Sequence, residues 1–86
     1  MLYRILTEDL NREDIVAIAS QYFPSFTLLD GTGYWNGTAE RCLIIEVDGH
    51  ESNIAADVLS VADRIKKQNE QEAVLVQRVP SDTMII

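Results

Sequence analysis

The chain has 86 residues, 47% of them hydrophobic, and sets 14 acidic against 7 basic residues for a formal charge of −7. That length and apolar content fit one compact domain spanning residues 1–86, with a small core that association would reinforce. The charge argues against nucleic acid and anionic membrane surfaces as partners, since both need a basic footprint. A lone cysteine, Cys42, rules out an intrachain disulfide and fits a reducing, cytoplasmic setting.

In chain order, Leu2 to Thr7 is a short apolar run closed by Glu8 and Asp9, which reads as a strand. The first helix is expected near residues 11–23, with Asn11 as its cap and Asp14 approximating a capping box. Ile15, Ile18, Ala19 and Tyr22 follow at helical spacing, and Pro24 stops the run. The segments FTLLDGTGYW and AERCLIIEV flank Asn36-Gly37, the residue pair that suits a two-residue turn with positive φ at both positions. They predict a long β-hairpin, with a bend or bulge expected at Gly31 and Gly33. A second helix is expected near residues 52–68, where Ile54, Val58, Val61 and Ile65 form one apolar stripe and Lys66 and Lys67 complement the helix dipole. AVLVQRV reads as a last strand stopped by Pro80.

This order, β-α-β-β-α-β, predicts an α+β ferredoxin-like sandwich: a four-stranded antiparallel sheet with two helices on one face. Alternation sends Leu43, Ile45 and Val47 to one face and Cys42, Ile44 and Glu46 to the other, while Leu28 and Leu29 divide likewise. Both faces are therefore apolar, so the face without helices is expected to meet another copy through Leu29, Cys42 and Ile44. The apolar end of the chain, Met84, Ile85 and Ile86, is expected to add a short extra strand within the chain or on a neighbour.

The stretch YWNGTAERCLIIEV, set in this order of elements, resembles the PII/CutA group of small trimeric proteins. CutA-like proteins carry an aromatic pair, a glycine turn and an acidic residue before an apolar strand, matched by Tyr34, Trp35, Gly37 and Glu40. Gly31, Gly33 and Gly37 match the G-x-G-x-x-x-G spacing of PII signalling proteins. The resemblance implies a trimer; Tyr34, Trp35, Asn36 and Glu40 are the residues expected to meet a ligand or partner, and for the two rings, packing at a subunit contact is the favoured alternative. PII proteins place basic and amide residues among these glycines and follow them with a long loop. Here a tight turn follows instead, so nucleotide binding does not carry over.

The residues themselves point away from catalysis. The glycines have no Lys or Arg between them to balance a phosphate, so they read as hairpin rather than phosphate loop. Cys42 lacks a nearby base, because the single histidine, His50, lies beyond the far end of its strand. Asp48, His50 and Glu51 make a poor metal set, and no cofactor is implied. The expectation is a non-enzymatic homo-oligomer, regulatory or ligand- and partner-binding. The alternative is a small acidic inhibitor, phage-borne in character, that blocks a nucleic-acid-handling enzyme by charge mimicry, with Glu8, Asp9, Glu13 and Asp14 in its acidic patch.

Overall fold

The computed structural model describes residues 1–49 and 53–86. Its elements are β1 (Leu2–Glu8), α1 (Arg12–Tyr22), β2 (Thr27–Trp35), β3 (Thr38–Asp48), α2 (Ile54–Gln68) and β4 (Leu75–Val79). The strands form one sheet in the order β2-β3-β1-β4, with every neighbouring pair antiparallel. This is the ferredoxin-like arrangement that the order of elements predicts.

Asn36 and Gly37 both take positive φ, 50° and 79°, so the hairpin closes through a turn of the kind that matches strand twist. From that turn the pairing runs unbroken from Trp35↔Thr38 to Thr27↔Glu46. No bulge interrupts it at Gly31 or Gly33, contrary to the sequence expectation. Gly31 has a different purpose. A Cβ built there would lie 2.9 Å from Cys42 Sγ and 3.6 Å from the Ile44 Cδ1, so its bare backbone admits the side chains of β3.

Alternation divides the sheet into two faces. Tyr3, Ile5, Leu43, Ile45 and Val47 are buried beneath the helices, packed with Ile15, Ile18, Ala19 and Phe23 and with Val58, Val61, Ala62 and Ile65. The second-helix stripe thus lies in the core, except that Ile54 is only partly buried. The opposite face carries Leu2, Leu6, Leu29, Cys42, Ile44, Leu75 and Val79, and no helix covers it. Across its middle, Arg4 Nε donates to Glu46 Oε2 at 2.7 Å.

Two terminal details depart from expectation. Asn11 does not cap α1 through its side chain. It sits in the left-handed region (φ 52°, ψ 55°), and its Nδ2 donates instead to Asn69 Oδ1 at 2.9 Å. Asn69 Nδ2 in turn donates to the Leu10 carbonyl, so the pair joins the start of α1 to the end of α2. The chain end also forms no strand within the molecule. Residues 80–86 are irregular, and Met84, Ile85 and Ile86 are fully or almost fully exposed. Ser81 O accepts from the Met1 amino group and Thr83 Oγ1 donates to Asp48, which carries the segment across the end of the sheet rather than back along β4.

The Gly31 contact gives a direct test by urea denaturation. Gly31→Ala should cost about 1 kcal/mol or more in the native background, the scale of modest overpacking. The cost should vanish when Cys42→Ala removes the sulfur. An equal cost in both backgrounds would show that the close approach is irrelevant.

Candidate binding groove

Where the β2–β3 hairpin projects past the start of β4, the uncovered face ends in a groove of about 190 Å³. Leu6, Cys42 and Leu75 supply apolar lining, Gly33, Tyr34, Trp35 and Glu40 come from the hairpin, and Gln71, Glu72 and Ala73 form the opposite wall. Tyr34 and Trp35 are 74% and 61% exposed, which is high for rings of their size and leaves both available for contact. As successive strand residues they leave opposite faces, so they border the groove separately and do not make one stacked platform.

The far wall depends on how α2 ends. Glu70 takes φ 52°, and the N–H groups of Glu70 and Gln71 donate to the carbonyls of Lys67 (3.3 Å) and Lys66 (3.0 Å). This is a Schellman closure with glutamate where glycine is usual. It aims Gln71 at β1. Gln71 Nε2 donates to Thr7 Oγ1 at 2.7 Å, and Gln71 Oε1 accepts from the Glu8 N–H at 3.2 Å. Thr7 is the one polar side chain buried in the core among the described residues, and this contact satisfies it.

Of the four residues the sequence singles out for ligand or partner binding, Tyr34, Trp35 and Glu40 line this groove. Asn36 occupies the turn and is not part of the lining. Gln71, Glu72, Leu6 and Leu75 were missed. Only the sheet order brings β4 and the end of α2 beside the hairpin, and nothing local in those residues announces it. Leu29, Cys42 and Ile44 share the uncovered face as expected, with Leu29 paired to Ile44. Trp35 and Glu40 thus lie at one end of this face, with Tyr34 beside them on the opposite side of the hairpin, whereas Met84, Ile85 and Ile86 lie on the segment crossing the other end. The residues His50 and Glu51, weighed for metal binding, lie outside the described residues; among those described, no cluster of His, Cys, Asp or Glu could hold a metal ion.

A second, more open recess of about 650 Å³ lies between the β1–α1 connection and the hairpin, lined by Asp9, Arg12, Asp30, Thr32 and Arg41. Its charges largely satisfy one another. Arg12 Nη2 donates to Asp9 Oδ2 at 2.7 Å and also to Asp30, a clamp joining the start of α1 to β2. The hydrogen bond from Arg12 holds the Asp9 carboxyl below its usual range, partial burial opposes this, and the positive charges of Arg12 and Arg41 add to it. The same two carboxylates raise the Arg12 pKa. The recess is therefore a structural clamp more than an open site.

A carboxyl whose pKa is lower when folded stabilises the fold above its unfolded pKa of about 3.9 and loses that contribution as pH falls through the folded value. Asp9→Asn should accordingly flatten the acid side of a stability–pH curve below about pH 5, where unfolded-state carboxylates begin to take up protons. Urea midpoints from pH 7 to pH 2.5 check this. Parallel curves for the two proteins would contradict the assignment.

No family model matches the chain, and no curated protein does. Among the described residues no helix is long and apolar enough to cross a membrane. Among solved structures, the chain is similar to a phage SAM lyase in its apo state, with a TM-score of 0.69 and 18% identity over 87% of this chain and 75% of that one. At that identity the likeness is one of fold: both are built on the same α+β framework.

Proposed function

We propose that this protein is a cytoplasmic, non-enzymatic homo-oligomer of PII/CutA type that binds a small ligand or protein partner beside the β2–β3 hairpin. The observation that carries this reading is the uncovered sheet face. It presents Leu2, Leu6, Leu29, Ile44, Leu75 and Val79 on a chain of 86 residues, and its charged pair, Arg4–Glu46, is already neutralised across the strands. Glu8 and Glu40 lie at its hairpin end, so the middle of the face, where the charges are paired, can be buried without leaving an unpaired charge. Exposed apolar surface of this continuity marks an interaction site. Covering it would also wall in the groove, which in one copy is open beside Tyr34 and Trp35. The trimer count rests on the family resemblance alone.

Light scattering tests the association. The native protein should have a mass of several chains, three by the resemblance, and Ile44→Glu should reduce it to one chain while the far-ultraviolet dichroism stays native. A native protein that remains monomeric at millimolar concentration would refute the reading.

A second reading is favoured by the chemistry of the groove together with the fold likeness to a SAM lyase. The indole of Trp35 borders an apolar space together with the carboxylates of Glu8, Glu40 and Glu72, three negative charges against the one positive charge of Arg41. Aromatic faces and carboxylates both attract an organic cation, and SAM is a sulfonium cation with a planar base. On this reading the groove takes SAM or a cation like it. Calorimetric titration with SAM should show saturable binding that Glu40→Gln weakens about tenfold, the scale of losing one charged contact. No binding at millimolar SAM would remove this reading, and turnover of SAM during the titration would overturn the non-enzymatic assignment.

A further inference from the structure

β2 is an edge strand of nine residues, and it lacks the features that normally keep an edge from pairing. It contains no proline and no lysine, and its pairing with β3 has no bulge to twist it away. Its single charge, Asp30, is engaged by Arg12. The opposite edge is different: β4 has five residues, includes Arg78 and is stopped by Pro80. A two-residue hairpin loop is closed by a hydrogen-bonded pair, and antiparallel pairs then alternate. Counting back from Trp35↔Thr38, the N–H groups of Leu28, Asp30, Thr32 and Tyr34 point away from β3 toward the open edge.

The molecule also carries an apolar terminal segment that no strand of its own chain receives. Residues 82–86, DTMII, end in three apolar residues that are between 86% and 117% exposed, so they pack against nothing in their own chain. They do not fold back on the outer edge of β4: Ser81 and Thr83 are held by Met1 and Asp48 across the end of the sheet. An edge without protection and an apolar segment without a seat are complementary needs of the same chain.

We infer that the segment 82–86 of one copy adds as a fifth strand to the β2 edge of the next. This rests on the homo-oligomer reading above and adds an edge contact between copies to the contact through the sheet face. Backbone N–H and C=O groups of the incoming segment satisfy those of β2, and its alternating Met84 and Ile86 against Ile85 extend both faces of the sheet. Donor and acceptor are different surfaces, so the contact is heterologous, and only a closed assembly fills the β2 edge of every copy. The hairpin groove then lies next to a strand supplied by a neighbour.

The test compares the native protein, a chain ending at Ser81, and Ile85→Asp, by light scattering and amide hydrogen exchange at equal concentration. In the native oligomer the amides of Leu28, Asp30 and Thr32 should exchange at least tenfold more slowly than in either variant. Both variants should keep native dichroism and show a lower mass or a weaker dependence of mass on concentration. An oligomer whose mass and β2 exchange are unchanged by both variants would overturn this inference and leave the homo-oligomer reading standing. A monomeric native protein would overturn both.

Discussion

Every feature of the surface depends on the register between β2 and β3. A side chain in a strand changes face with each step, so a slip of one residue would carry Leu43, Ile45 and Val47 out of the core and put Cys42, Ile44 and Glu46 into it. Asn36 and Gly37 hold that register, because their positive φ angles permit a two-residue turn and no other residue shift. Gly31 supports the same alignment from the middle of the strand, as its missing Cβ leaves room for the close approach of the Cys42 sulfur. Once the hairpin is set, β1 has one way to pair with β3, and Arg4 meets Glu46.

The hairpin alone does not make a domain. Its long strands must be tied to the two crossover helices, and short polar contacts do this at the end of β1. Asn11 and Asn69 clasp the two helices, Gln71 seats on Thr7, and Arg12 reaches from α1 to Asp30 on β2. The Asn11–Asn69 and Arg12–Asp30 contacts are worth little at exposed positions, whereas the bond to buried Thr7 satisfies a group that would otherwise be left unpaired. Together they fix where α2 ends relative to the hairpin, and that placement is what gives the groove its second wall. The left-handed backbone of Asn11 and Glu70, a strain of order 1 kcal/mol each for residues with a side chain, persists because those clasps hold both connections in place.

The sheet, both helices and the hairpin turn were legible because each was written in local terms: the Asn-Gly turn, the alternation of RCLIIEV, and the stripe Ile54, Val58, Val61, Ile65. The misreadings share one cause. Asn11 has the composition of a cap but is claimed by Asn69, and Gly31 has the composition of a bulge but is claimed by Cys42, both partners far away in sequence. The groove was half legible for the same reason. Tyr34, Trp35 and Glu40 lie within one short stretch, whereas Gln71 and Leu75 join them only through the sheet order.

The acidic charge and the apolar uncovered face press in opposite directions. Fourteen acidic residues on so small a chain repel other copies at long range, and an apolar face attracts them at contact. The distribution of charge resolves the conflict. On the uncovered face Glu46 is matched by Arg4, while Glu13, Asp14, Asp57 and Asp63 belong to the helices on the other side. Across the middle of the uncovered face the charges are thus paired, and the unpaired carboxylates on that side, Glu8 and Glu40, are confined to its hairpin end. The same separation gives Glu40 its character: it is a carboxylate on the apolar side of the molecule, beside an exposed indole. A charge placed there gains little from the solvated helix faces and is free to meet whatever enters the groove.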